Sequence, residues 1–312
     1  MSKMSIEAPY RHALSGPAMG SRWSALFHAA ADVDEAALTS RLQGVVERVE
    51  QQMSTWRPGS DLEQINAAPV GTWVKIPPAL AHVLATALEI GRLSQGAFHM
   101  GVGDLVKAWG FGSGSRVPDA GRIAALAGRP AFEPPKTLQL DPAGGRARRL
   151  APLRLDLSGI AKGFGVDELG REMTAAGLAS WLVGIDGEMR AEGTKPDGRP
   201  WTVAHEKPTP GAREILGVLE LSGAAVATSG SYRHQREVEG RMLSHTMDPF
   251  RGAPLENDLA AVTVLAETCM AADAWATALM VRGAIEGPAL ARRLGLAALF
   301  VRTDGEVVET WP

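Results

Sequence analysis

TCMAADAWATALM, from Thr268 to Met280, reads as a helix that is apolar nearly all round and therefore buried. Two polar residues break the pattern. Asp273 and Thr277 stand four apart, so they share one face, one turn above the other. A carboxylate taken out of water needs a cation, a set of donors or a metal, because desolvation penalises its charged form. Two readings of the helix stand side by side. Asp273 pairs with an arginine or caps a neighbouring loop, as buried acids commonly do; or the carboxylate and hydroxyl form an oxygen-ligand site of the kind Mg²⁺ prefers.

A strand at Ala260–Leu265 leads into this helix. A capping helix at Pro288–Leu294 and strands at Ala297–Arg302 and Glu306–Thr310 follow it. Further upstream, LRLDLSGIAKGFGVDELGREMTAAGLASWLVGI begins at Leu153 and reads strand, tight Ser-Gly turn, helix, Gly177 cap, strand. A Gly-flanked turn entering a helix directs backbone N–H groups and a positive dipole end outward, which suits phosphate, and Lys162 adds a charge. The same letters also describe a plain strand–helix–strand unit with a surface lysine.

From Asp186 onward the pattern is antiparallel, with short strands in DGEMRAEG, Trp201–His205, Ile215–Leu221 and Ala224–Thr228. Ser229-Gly230-Ser231 reads as a compact loop. His245 lies in SHTMDP, beside the turn of Asp248-Pro249 and Arg251-Gly252. A lone histidine there is more often structural or solvated than catalytic. In the first half, Ala18-Met19-Gly20-Ser21 turns into a strand at Arg22–Ala30, and helices are predicted at Asp34–Met53, from Ser60 to near Asn66, at Pro78–Ser94 and at Asp119–Ala127. A weak strand falls at Leu138–Leu140. Between them GAFHMGVGDLVKAWGFG, from Gly96, interleaves glycines with Phe98, Trp109 and Phe111, which suits backbone held close to a flat ligand but matches no P-loop or dinucleotide fingerprint. No repeat or composition shift cuts the chain, so strands on both sides of the central unit are expected to share one fold.

At 312 residues, 45% hydrophobic and 21% charged, the chain has the balance of a globular protein with a large core. A formal charge of -3 and no local Lys/Arg run leave no footprint for nucleic acid. The single cysteine, Cys269, excludes an internal disulfide and a cysteine metal cluster. No stretch approaches the roughly 20 apolar residues of a membrane span. The first residues, with Glu7, Pro9, Arg11 and His12 where an apolar signal core would lie, predict a cytoplasmic protein; a chain that starts downstream of its signal would instead be periplasmic.

The order of these segments resembles that of the FAD:protein FMN transferases, the ApbE flavin transferases. The resemblance is carried by Met19-Gly20 before a strand, STWRPGSDLEQIN, GAFHMGVGDLVKAWGFG, LDLSGIAKG, VATSGSYRH, SHTMDPFRGAP and ADAWATAL, and spans about Met19 to Gly283. It implies an α+β fold: a single ApbE-like, T-fold-like domain at 19–312 behind a polar lead at 1–18, with mixed and antiparallel sheets and flanking helices around a central FAD site. It further implies Mg²⁺-dependent movement of FMN from FAD to a Ser or Thr hydroxyl of an acceptor flavoprotein, with a phosphoester formed and AMP released. Transferred position by position, the metal ligands are Asp273, Thr277 and the Ala161 carbonyl. Met19, Trp56, Ala97, Phe98, His99, Ser158, Lys162, Phe164 and Met247 are expected to contact FAD, and His245 and Asp273 to act in catalysis. This chain departs from the usual pattern at His99, Met247, Asp186-Gly187-Glu188 and Ala276. An FAD pyrophosphatase yielding FMN and AMP, or a non-catalytic FAD-binding protein, would use the same residues.

Overall fold

A computed structural model of the chain describes residues 10–114, 117–126, 137–208, 214–230, 236–238 and 241–311. In chain order its elements are β1 (Tyr10–Ala18), β2 (Ser21–Ala29), α1 (Glu35–Met53), α2 (Asp61–Ala67), β3 (Val74–Lys75), α3 (Pro78–Leu93), α4 (Gly103–Ala108), α5 (Ala120–Leu126), β4 (Leu138–Asp141), β5 (Arg146–Arg149), α6 (Ala161–Ala175), β6 (Trp181–Ile185), β7 (Glu188–Glu192) and β8 (Trp201–Glu206). They continue as β9 (Ile215–Leu221), β10 (Ala224–Gly230), β11 (Arg236–Val238), β12 (Arg241–Leu243), β13 (Met247–Asp248), β14 (Ala253–Pro254), β15 (Leu259–Ala266), α7 (Cys269–Leu294), β16 (Ala297–Arg302) and β17 (Val307–Glu309).

The expected α+β class is what the chain adopts. Among the described residues, an eight-stranded sheet runs β1-β2-β6-β7-β10-β15-β16-β17, with every neighbouring pair antiparallel. It joins strands from both ends of the sequence. Alternation sorts its side chains between two faces. Val183, Ile185 and Ala225 face the helices, where they meet Leu42, Val45 and Val46 of α1 and Val166 and Leu169 of α6. Leu182, Ala191 and Val226 face the other way, onto Trp201 and Leu221 of the β8–β9 ribbon. Both faces being covered explains why β6 and most of β15 are continuously buried.

Helix α7 is held at its N-terminus by another helix. Asp167 of α6 is buried, its Oδ1 accepting from Cys269 N–H (2.9 Å) and the Arg190 guanidinium (2.7 Å) and its Oδ2 from Met270 N–H (2.9 Å). A negative charge on the first amides of α7 satisfies donors the helix cannot, and favours the dipole end. Asp167→Ala would leave those amides and Arg190 unpaired in the core. The expected loss is about 3–5 kcal/mol of stability, read as a lowered urea midpoint; an unchanged midpoint would show that α7 needs no such anchor.

Four expectations change. The residues up to Ala18 are not simply a polar lead: Tyr10–Ala18 is the edge strand β1, with His12, Leu14, Gly16 and Ala18 buried in alternation. Pro17 disguised it, and an edge strand tolerates proline because one side of its ladder is unused. Leu153–Leu157 is extended but lies in no sheet. Its backbone bonds go to side chains and loops: Leu155 N–H donates to Asn66 Oδ1 (2.7 Å), Arg154 N–H to Asp104 Oδ2 (3.1 Å) and Asp156 N–H to the Met100 carbonyl (2.6 Å). Ser229 and Gly230 extend β10 instead of forming a loop. The capping helix is the last part of α7, offset from the first by Gly283, whose φ of 77° breaks the helical path. Ala127, and residues 231–234 of VATSGSYRH, lie outside the described residues.

Candidate active site

Two hairpin turns bring one end of the sheet to a cavity of about 660 Å³. Met19 (φ 48°) and Gly20 (φ 77°) connect β1 to β2, and Asp186 (φ 58°) opens the connection from β6 to β7. Because Trp23 pairs with Ile185, the turns lie side by side. Left-handed backbone at a non-glycine residue costs on the order of 1–3 kcal/mol and persists only where the surroundings impose it. At Met19 the surroundings are identifiable: its N–H donates to Glu50 Oε1 (2.6 Å), and its side chain packs over Gly165 of α6.

The floor of the cavity is where α6 meets α7. A Cβ at Gly163 would collide with the Cys269 carbonyl and stand 2.8 Å from Asp273 Cβ, so only glycine permits this approach. The Gly163 N–H then donates to Asp273 Oδ2 (3.0 Å). The amide expected to face phosphate is therefore spent on a carboxylate, and the Ala161 N–H is spent on the Leu157 carbonyl (2.8 Å). Thr277 Oγ1 shares a hydrogen bond with Ser229 Oγ (3.1 Å), and Gly159 leaves that hydroxyl approachable. Of the readings of Asp273, no arginine pairs with it among the described residues; it does satisfy a neighbouring backbone N–H, as the capping reading expects, and it also faces the cavity. Burial pushes its pKa up to about 7; Glu188 adds to the push, while Lys162 and the Gly163 N–H oppose it.

Met19, Trp56, Ala97, Phe98, His99, Ser158, Lys162, His245, Met247, Asp273 and Thr277 all line the cavity. Trp56 sits at the rim, 58% exposed, a large apolar ring offered to whatever enters. His99 caps a short 3₁₀ turn, its Nδ1 accepting from Gly101 N–H (3.1 Å). Lys162 is not the free charge the sequence suggested. Its ammonium lies 2.7 Å from Glu188 Oε1 and 3.7 Å from Asp186 Oδ2. Burial disfavours that charge, yet the carboxylates of Glu188, Asp273 and Asp186 outweigh it and hold the ammonium above the usual lysine range. Two expected residues are not among the lining residues. Ala161 begins α6 beneath the surface, and Phe164 is a core residue, 2% exposed, with its ring edge-on to His82.

Asp273 and Thr277 supply a carboxylate and a hydroxyl to the cavity, both hard oxygens. Among the described residues no cluster of three His, Cys, Asp or Glu stands ready to enclose a metal. That combination fits a cation that keeps few protein ligands and takes the rest from water or phosphate, as Mg²⁺ does.

His205 was missed in the sequence, although it falls in the inward phase of β8 with Trp201. It lines the cavity, and a chain runs from its Nε2 to Thr263 Oγ1 (2.8 Å) and on to Thr228 Oγ1 (2.9 Å). Burial holds its pKa below 6.5. As pH falls through 6.5 the unfolded chain therefore takes up this proton before the folded one, and the fold loses stability on the acid side. His205→Gln, which keeps a hydrogen-bonding side chain but cannot titrate, should show a smaller drop in denaturation midpoint between pH 7.5 and 5.5 than the parent chain. Equal drops would remove His205 from that balance.

A cavity between helices and sheet, floored by the Asp273 carboxylate and the Thr277 hydroxyl and walled by aromatic and thioether side chains, has the build of a small-molecule binding site. The ApbE family model matches residues 19–300, and the chain belongs to the ApbE family. It is 33% identical over 302 residues to the FAD:protein FMN transferase of Escherichia coli K12, covering 96% of this chain and 86% of that protein. The crystal structure of Pseudomonas stutzeri flavinyl transferase ApbE, in its apo form, superposes with a TM-score of 0.84 at 37% identity, covering 98% of this chain and 96% of that one. The flavin transferase ApbE from Vibrio cholerae superposes with a TM-score of 0.86 at 33% identity, with 97% of each chain covered.

Proposed function

We propose that this chain transfers FMN from FAD to a Ser or Thr hydroxyl of an acceptor flavoprotein, forming a phosphoester and releasing AMP. One observation carries the reading: in a chain whose relatives are named FAD:protein FMN transferase, Asp273 and Thr277 share one cavity with His245 and a wall of Trp56, Phe98, Met19 and Met247. Asp273, Thr277 Oγ1 and the Ala161 carbonyl would hold Mg²⁺, which neutralises charge on pyrophosphate oxygens as a P–O bond breaks. The remaining work falls to the chain. The aromatic and methionine side chains grip the ring systems through their apolar faces. Ser158 lines the cavity, where its hydroxyl would meet a phosphate oxygen, and Asp156 Oδ1 holds its N–H (2.8 Å).

His245 accepts the proton of the incoming hydroxyl. Its oxygen then bonds to the FMN phosphorus, and the bond between that phosphorus and the bridging oxygen breaks with its electrons going to AMP. The reading is tested by incubating the purified chain with FAD, Mg²⁺ and an acceptor flavoprotein and following AMP. It requires AMP release that stops on addition of a chelator; release indifferent to chelation, or none at all, would refute it.

A further inference from the structure

We propose that Glu188 is a positioning residue that holds the Lys162 ammonium off Asp273 and so keeps the Asp273 carboxylate open to a divalent cation. The inference rests on the reading of Asp273 as a metal ligand given above. Lys162 is flanked by Ala161, whose carbonyl is assigned to the cation, and Gly163, whose N–H is bonded to Asp273 Oδ2. Its backbone thus stands beside the carboxylate, and a lysine's four-carbon stem carries its charge over several ångströms. Left to itself, the nearest buried anion would take it. Instead the ammonium is turned to Glu188 Oε1 at 2.7 Å and Asp186 Oδ2 at 3.7 Å, and no ion pair joins it to Asp273.

Glu188 carries a cost that calls for an explanation. It is 3% exposed, and its second oxygen, Oε2, is buried with no hydrogen-bond partner. A half-satisfied buried carboxylate is unfavourable by itself. Its place at the start of β7, straight after the strained Asp186 turn, aims one oxygen at Lys162. Held there, Lys162 offsets part of the negative charge of Asp186, Glu188 and Asp273 without occupying the oxygens of Asp273. Glutamine at 188 would keep the shape and lose the charge, and Lys162 would then find its strongest remaining attraction at Asp273.

The test is Mn²⁺ binding to the full chain, followed by loss of the free-ion electron paramagnetic resonance signal, Mn²⁺ taking the same oxygen ligands as Mg²⁺. Glu188→Gln should weaken binding on the order of tenfold or more, because a tethered cation now competes for the same carboxylate. The double variant Lys162→Met with Glu188→Gln should return affinity to within about threefold of the parent, the competitor having been removed. That rescue separates positioning from a structural or ligating role. Unchanged affinity in Glu188→Gln, or a loss that the double variant does not restore, overturns the inference. A parent chain whose Mn²⁺ affinity is untouched by Asp273→Asn overturns the metal reading itself, and the inference with it.

Discussion

Asp273→Asn is expected to lower FMN transfer by about 10²–10³-fold or more, and to do so without unfolding the protein. The size follows from what is lost: the only charged protein ligand assigned to the cation, in a buried site where charge stabilisation of the breaking P–O bond is worth several kcal/mol. The intact fold follows from the environment of Asp273. Burial and the nearby Glu188 already disfavour its ionised form, so a neutral amide of the same shape removes a strained charge and can still accept from the Gly163 N–H. The two effects are measured separately, turnover by AMP release and stability by urea denaturation. Full activity in the variant would remove the metal assignment; loss of activity together with collapse of the fold would make Asp273 a structural residue.

His245→Ala should slow transfer by about 10²–10⁴-fold, the range in which a positioned base contributes, while changing FAD affinity only a few-fold. His245 stands just before β13 on the cavity wall, apart from the floor formed by α6 and α7. Removing its ring leaves the aromatic grips and the oxygen donors in place. Single-turnover rates set against equilibrium binding of FAD decide the matter. Equal losses in both would make His245 a binding residue, and the proton would need another acceptor.

What the sequence made legible was what depends on local pattern. An aspartate inside an apolar helix stands out whatever surrounds it, and the Asp273–Thr277 face could be drawn from spacing alone. Helix α1 was equally plain, with Asp34 at its start and Leu38, Leu42, Val45, Val46, Val49 and Met53 on one buried face. Strand β1 was hidden because its buried face is built from His12, Gly16 and Ala18 as well as Leu14, and because Pro17 reads as a breaker. Leu153–Leu157 misled in the opposite direction. Its alternating leucines do describe a buried extended segment, but alternation cannot show that Asn66 and Asp104 take the place of a neighbouring strand.

The same division runs through the site. Met19, Phe98, Ser158 and Met247, each set in a motif of its own, meet at the cavity. Phe164 lies in a motif but points into the core, a direction set by the packing of α6 that motif matching does not carry. The pairing of Lys162 with Glu188 joins positions 26 residues apart across the β6–β7 turn. Nothing in either local stretch announces it. Glu188 and His205 therefore emerge as cavity residues only once β7 and the β8–β9 ribbon are in place.

Passage of FMN from this cavity to a protein hydroxyl is read from the intact mass of the acceptor. A flavoprotein that carries phosphoester-linked FMN in its mature form, supplied without it, is incubated with the chain, FAD and Mg²⁺. The predicted result is a mass gain of one FMN less one water, absent when the acceptor's target Ser or Thr is replaced by alanine or when the chain carries Asp273→Asn. An acceptor of unchanged mass, with free FMN and AMP accumulating in solution, would rule out transfer and make the chain a hydrolase.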